Sequence, residues 1–540
     1  MTLMVQIGSF VLLLGLLVFV HELGHFLAAK AVGVKVLRFS IGFGPKLVGF
    51  TRGDTEYWIA ALPLGGYVKM AGEVPGEDTS PEDEARSYLA QSPWKRMLIV
   101  AAGPAFNLIF PLLILFLAVV SFPQPSTRVL TLEPGLPASE SGMRLGDVIT
   151  EIDGQPVHTF DELRRVIESR AGQRIPVTVE RDGQPVKLVL TPMRSPTAPP
   201  GRPKGMIGVA PSARVPALGI PAGSAAEQLG LRTFDRVVSL DGQPVSDQYA
   251  LLRRIEAARG PSFQLEVLRR DPAGVPGVDL EVPRTLRFTV PRQRGTGLAA
   301  LGVESGDLYV GRVVDDSAAA KAGVLAGDRL VSMDGETLLT QDGWVRKLET
   351  LREKPFQLVW LHQGVERKAE VHQNKVTRKD EFTGQETTGL DLGLRPGSHS
   401  GAEKQQPDMV RVGPGEALAI AFRKLVEIVV GTAGGLAMLL TGQVSFKSVG
   451  GPIMIYDIAS RAAQAGLEPF LNLMAAISVN LGLINLIPIP ALDGFQLLSS
   501  AWEAIRRRPI PMRAREIANA VGILALIVLM VLVCVNDLTR

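Results

Sequence analysis

Four stretches of this chain are long and apolar: about Val5 to Ala29, Met97 to Phe122, Leu471 to Ile489 and Ile517 to Val535. A helix that crosses the hydrocarbon of a bilayer needs roughly 20 mostly apolar residues. In lipid only helices and closed barrels satisfy their own backbone polar groups. These stretches therefore predict a polytopic α-helical membrane protein with four transmembrane helices. A fifth stretch, Ala417 to Leu440, is interrupted by Arg423, Lys424 and Glu427. Its clean remainder, Ile428 to Leu440, has the length of an interfacial or amphipathic helix.

Charge placement predicts the topology. Lys30, Lys35, Arg38, Lys46, Arg52, Lys69, Lys95 and Arg96 lie between the first two stretches, and Arg506, Arg507, Arg508, Arg513 and Arg515 between the last two. Positive-inside reasoning puts both basic loops in the cytoplasm, with both termini and residues 123–470 on the other side. A fifth span would place the two loops on opposite sides. Met1 to Val20 contains no charged residue, lacks a basic n-region and is followed by no small-residue cleavage site, so it reads as a retained span.

At 540 residues with positive mean hydropathy, the chain reads as a membrane protein carrying soluble modules. A net charge of +3 gives no sign of nucleic-acid binding. The single cysteine, Cys534, excludes an intrachain disulfide and a thiolate metal site.

The end of the first stretch reads His21-Glu22-Leu23-Gly24-His25. Residues four apart on a helix share a face, so the two imidazoles can bind one Zn²⁺ while Glu22 takes a proton from the water it activates. Ionisable groups inside a span are costly and functional by default; a packed neutral histidine pair would leave Glu22 unexplained. A catalytic zinc takes three protein ligands and keeps one position open. His158, His362, His372 and His399 lie in no span and are assigned to surfaces and turns. Asp493, in Asn485-Leu486-Ile487-Pro488-Ile489-Pro490-Ala491-Leu492-Asp493-Gly494, follows the third stretch, which runs in the same direction as the first. Pro488 and Pro490 end the helix before it, leaving a bent backbone that must face protein or a water cavity. Taken alone, Asp493-Gly494 reads better as a turn closing a helix; beside a two-histidine site lacking its third ligand it reads as that ligand.

The region between the spans contains a repeat. Gly142 to Asp147 with Ile152-Asp153-Gly154-Gln155-Pro156-Val157 is echoed by Gly230 to Asp235 with Leu240-Asp241-Gly242-Gln243-Pro244-Val245. A third, less regular copy has Gly323 to Asp328 with Met333-Asp334-Gly335. After each Asp-Gly turn a helical stretch and alternating strands are expected. The copies resemble PDZ domains, in their circularly permuted form, which capture extended peptides or C-termini at a sheet edge; plain spacer domains are the other reading. The Pro-rich and polar segments Arg194 to Lys204 and Ser398 to Asp408 read as linkers, and Glu73 to Arg86 as an exposed acidic loop.

Together these motifs resemble the site-2 protease family of intramembrane zinc metalloproteases with PDZ domains. Further matching stretches are Phe39 to Gly44, Pro63 to Met70, Ala102 to Asn107 and Ser478 to Gly482. The resemblance implies His21, His25 and Asp493 as zinc ligands and Glu22 as general base. It implies substrate binding at Asn485, with Asn480 assisting and Pro488 and Pro490 beside them, and at a membrane-re-entrant β-hairpin carrying Gly42, Gly44, Gly66 and Tyr67. It implies membrane-embedded substrates, an anti-sigma factor or remnant signal peptides, at a bacterial inner membrane, with peptide C-termini as possible PDZ ligands. Relatives of this kind usually carry two PDZ domains, and three copies stand here.

The expected division is a membrane catalytic part at 1–122 (its cytoplasmic and re-entrant loop at 30–95) and extracytoplasmic α+β PDZ-like domains at 123–195, 205–293 and 296–397. Interfacial helices follow at 409–469, and a second catalytic part at 470–540. A catalytically inactive PDZ-bearing membrane scaffold is the alternative. An ion transporter is a weaker one, since the four spans show no repeat.

Overall fold

The computed structural model describes residues 3–73, 81–195, 204–272, 281–379, 386–397, 407–442, 450–508 and 511–538. The chain forms two compact units: residues up to Pro123 with those from Arg411 onward, and Gln124–Lys379 with Glu386–Val410. Most of both expected linkers and half of the expected acidic loop fall outside the described residues.

The long helices of the first unit are α1 (Leu3–Ala31), α2 (Pro93–Ser121), α3 (Pro414–Leu440), α4 (Pro452–Ala465), α5 (Leu467–Asn485), α6 (Asp493–Arg506) and α7 (Met512–Leu538). Among the described residues, α1, α2, α5 and α7 contain the four segments long and apolar enough to cross a membrane. They coincide with the four stretches read from the sequence. α5 ends at Asn485, short of the expected Ile489; Pro488 and Pro490 offer no N–H to continue the helix. α3 differs more. It runs unbroken through Arg423, Lys424 and Glu427, residues with good helix propensity. Ala417 and Ile420 of α3 pack with Val119 of α2, and Ala421 joins Leu13, Leu17, Ile114, Leu115 and Met474 in the helical core.

Two features set the spacing at the centre of this bundle. A Cβ at Gly24 would lie 2.3 Å from the Ala102 carbonyl oxygen, so α1 and α2 approach there as only glycine allows. Pro111 of α2 cannot bond the carbonyl of Asn107 one turn earlier, and the Ser478 hydroxyl of α5 donates to that oxygen at 2.9 Å. A neighbouring helix thus satisfies what the proline frees.

Between α1 and α2, β1 (Val36–Arg52) and β2 (Thr55–Met70) form a sheet that folds back on itself. Residues Val36 to Ile41 pair with Gly66 to Met70 on one edge and with Glu56 to Ile59 on the other. Val36, Phe39, Val68 and Met70 pack with Ala29 of α1 and Ile99 and Val100 of α2, which seats the sheet against the helix pair. The Arg96 guanidinium of α2, 5% exposed, pairs with Glu503 of α6 at 2.7 Å and anchors α6 alongside.

In the second unit the three sequence repeats fold alike. Each has a four-stranded sheet with the same order of pairing: Gln155–Pro156, Val148–Ile152, Ile175–Arg181, Gln184–Leu190 in the first, with corresponding strands in the others. Each has its own buried core. Asp153-Gly154, Asp241-Gly242 and Asp334-Gly335 all have positive φ at both residues, the conformation of a type I′ hairpin turn. A buried aspartate recurs at Asp147, Asp235 and Asp328, its carboxylate accepting a backbone N–H at 2.9 Å from three residues earlier. Its side-chain partner is Arg181 in the first copy, Arg269 in the second and His362 in the third, each at 2.7 Å. His362, expected at a surface or turn, is therefore a partly buried strand residue. Arg214 ties the copies together, its guanidinium pairing with Glu133 of the first and with Asp307 and Asp342 of the third.

Candidate metal centre

α1 and α6 bring three ligating atoms together, held by α2. His21 and His25 project from one face of α1, with Nε2 atoms 3.2 Å apart. Asp493 opens α6, directly after the proline-bearing turn. Its Oδ2 lies 3.1 Å from His21 Nε2 and 3.5 Å from His25 Nε2. All three side chains are 15% exposed or less. Among the described residues these are the one group of three or more His, Cys, Asp or Glu side chains placed to hold a metal.

The spacing fits a cation. A tetrahedral ion with bonds of about 2.0–2.2 Å holds neighbouring ligand atoms roughly 3.3 Å apart, and the three separations are 3.1, 3.2 and 3.5 Å. Two imidazole lone pairs and a carboxylate this close repel unless a proton or a metal ion lies among them. The tautomer of His25 fits as well. Its Nδ1 is 2.9 Å from the Ile99 carbonyl oxygen. A carbonyl only accepts, so the ring donates from Nδ1 and keeps the Nε2 lone pair for a metal. Two neutral histidines and one carboxylate leave a fourth position open, the arrangement of a catalytic site.

Gly103 of α2 makes the room. A Cβ there would lie 2.3 Å from His25 Nε2 and 2.9 Å from His21 Cε1. On the other side the β-sheet closes in: a Cβ at Gly66 would lie 3.1 Å from Glu22 Cγ. The backbone N–H of Val68, two residues on, faces the Glu22 carboxylate. Thus the residue next to the ligand pair is oriented by the strand that carries Gly66 and Tyr67.

The other expected site residues divide. Asn485, the last residue of α5, has its Nδ2 3.5 Å from His21 Nε2 and so belongs to the centre. Asn480 does not join it: its Oδ1 accepts from the Thr432 hydroxyl of α3 at 2.8 Å. Five residues along a helix is a turn of about 140°, which carries Asn480 to another face. Pro488 is exposed, whereas Pro490 is in close approach to α7, where a Cβ at Gly522 would meet its carbonyl oxygen at 2.3 Å. Gly42 and Gly44 have φ of 92° and 90°, a backbone that glycine adopts without strain. Tyr67 stacks on Phe43, ring centroids 6.1 Å apart, and its hydroxyl accepts from Arg38 at 3.3 Å. Sequence reasoning assigned no role to Gly103, Val68 or Asn107, although all three lie in its matching stretches; Asn107 Nδ2 is 3.2 Å from His21 Nδ1.

Comparison with known proteins identifies the family. The model of peptidase family M50 matches residues 9–529. Protease RseP of Yersinia pestis is 29% identical over 559 residues, covering 100% of both chains. Regulator of sigma-E protease RseP of Escherichia coli (strain K12) is 29% identical over 555 residues, covering 99% of this chain and 98% of its own. The solved PDZ domain of the SdrC-like protein from Listeria innocua is 22% identical over 16% of this chain and 91% of its own, with a TM-score of 0.14. With a family match over nearly its whole length and a two-histidine, one-aspartate centre beside its apolar helices, the chain belongs to peptidase family M50, the site-2 protease family, and is a membrane metalloprotease.

Proposed function

We propose that the chain is a zinc endopeptidase that cuts single-pass membrane proteins within or beside the bilayer, in regulated intramembrane proteolysis. The observation that carries this reading is the convergence of His21, His25 and Asp493 to 3.1–3.5 Å, with Glu22 next to them on an apolar helix. His21, His25 and Asp493 would hold the ion, which when bound supplies Lewis acidity to a water molecule and to the scissile carbonyl. Glu22, oriented by the Val68 N–H, takes the proton of the attacking water and delivers it to the departing amide nitrogen.

A peptide bond inside a substrate helix is shielded by that helix's own hydrogen bonds, so the helix must open first. The β2 edge around Gly66 to Val68 can pair with the opened backbone as an added strand, and the Asn485 amide can bond a freed carbonyl. By likeness to proteases named for sigma-E, the substrates are an anti-sigma factor and, as a second class, remnant signal peptides. Positive-inside reasoning on the basic loops supports a centre in the cytoplasmic half of a bacterial inner membrane. The three PDZ-like domains, 123–195, 205–293 and 296–397, then stand outside the cytoplasm and act as a gate, by binding peptide or by excluding bulky ectodomains.

The test is metal analysis and a cleavage assay on the purified full chain. Wild type is expected to hold one zinc and cut a membrane-anchored reporter. Glu22→Gln is expected to hold the same zinc and to lose 10²-fold or more of the cleavage rate, about the contribution of general base catalysis. A Glu22→Gln protein that cuts normally would remove Glu22 from the mechanism.

A further inference from the structure

His21 has a second ring nitrogen, and what faces it decides whether the first can bind metal. Nε2 of His21 points at His25 Nε2 and Asp493 Oδ2. To ligate there it needs its lone pair, so the ring proton must sit on Nδ1. Nδ1 is 3.2 Å from the side-chain amide of Asn107. Asn107 is 1% exposed, in the stretch of α2 between Pro104 and Pro111. The nearer amide atom is Nδ2, while Oδ1 is buried with no hydrogen-bond partner.

The two orientations of this amide have opposite consequences. With Nδ2 toward the ring the amide donates, Nδ1 accepts, and the ring proton is left on Nε2, the atom that must bind metal. A half-turn about Cβ–Cγ puts Oδ1 on Nδ1 at the same distance. An amide oxygen only accepts, so that orientation holds the proton on Nδ1 and frees Nε2. The Ile99 carbonyl already does the same for His25 at 2.9 Å.

We propose that Asn107 is the positioning residue for His21: its amide oxygen accepts the Nδ1 proton, selecting the ring tautomer and the orientation that bind the metal. Its own backbone carbonyl is taken by Ser478, which fixes this turn of α2 against α5 and aims the side chain at α1. Partners that orient metal-bound histidines typically carry 10- to 100-fold in metal affinity.

The inference rests on the metalloprotease reading, and zinc affinity, measured by chelator competition on the purified full chain, separates the two. Asn107→Leu keeps the volume and removes the acceptor; zinc is expected to bind 10- to 100-fold more weakly. Asn107→Asp keeps an acceptor and cannot donate when ionised, so its zinc affinity is expected to equal or exceed that of wild type. A donor role predicts the reverse for Asp, and a purely structural role predicts that both variants lose zinc together. Zinc bound by Asn107→Leu as tightly as by wild type, or lost by Asn107→Asp as far as by Leu, overturns the role of Asn107. If Asn107→Leu does not fold, the Asp variant alone decides. A wild-type chain that binds no zinc instead overturns the metalloprotease reading.

Discussion

Asp493 in the first unit and Asp235 in the second are both carboxylates removed from water, with side chains 15% and 1% exposed. Their surroundings differ in kind. Asp235 is closed: Arg269 donates to both its oxygens at 2.7 Å, and the backbone N–H of Arg232 donates at 2.9 Å. Both oxygens are thus held by permanent donors of the same chain. Asp493 faces two imidazoles, each able to offer a lone pair instead of a proton. Burying a charge is tolerated only when it is paired. The first two repeats meet that demand internally with an arginine, whereas the membrane unit leaves it to be met by a cation. A buried carboxylate is thus a staple or a site according to whether its neighbours can stop being donors.

Substitution at the two carboxylates tests the contrast most strongly. Asp493→Ala is expected to abolish cleavage of a membrane-anchored reporter and to lower bound zinc sharply, with thermal unfolding little changed. Asp235→Asn should do the opposite. It leaves the Arg269 guanidinium, 11% exposed, without its counter-charge, and removing one partner of a buried pair costs about 3–5 kcal/mol. Unfolding is expected to shift accordingly while zinc stoichiometry holds at wild type. Zinc lost on Asp235→Asn, or kept on Asp493→Ala, would break the distinction. Gly103→Ala comes next: its methyl group would meet His25 Nε2 at 2.3 Å, so zinc affinity should fall although no ligand has been changed. Normal affinity there would mean that α2 can move away from the histidines at little cost.

What could be read without coordinates follows the same division. His21, Glu22 and His25 are legible because helical periodicity alone puts the two imidazoles on one face. Asp493 is legible through topology, since positive-inside reasoning runs the first and third apolar stretches in the same direction. The repeats are legible because Asp-Gly turns recur at fixed offsets. Asn107 and Gly103 are not: their roles depend on which face of α2 meets α1, and an apolar helix with few polar positions carries little record of its facing. Asn480 shares a helix with Asn485 but not a face, and the sequence alone does not separate the two. The continuity of α3 was hidden because charged residues count against a span in hydropathy, yet they are good helix formers and interrupt no hydrogen bond. His362 has no motif of its own; it becomes visible only once strand register aligns it with Arg181 and Arg269.

That alignment sets up the smallest and finest test. In the first two copies the arginine does more than neutralise the aspartate: Arg181 also donates to the Gly142 carbonyl at 2.9 Å and Arg269 to the Gly230 carbonyl at 2.7 Å. These glycines end the short helix before each aspartate, so a planar fork clamps helix end and carboxylate together. His362 offers one bond, Nδ1 to Asp328 Oδ1 at 2.7 Å, and an imidazole lacks the reach and the extra donors to clamp Gly323 as well. His362→Arg should restore the full clamp and stabilise the third copy by about 1 kcal/mol, the net worth of an added hydrogen bond. Trp344 and Trp360 lie in that core, and their fluorescence during denaturant unfolding of the full chain reports the shift. An unchanged or lowered midpoint would mean that the third copy has repacked around its histidine, and that the likeness of the three closed carboxylates stops at their geometry.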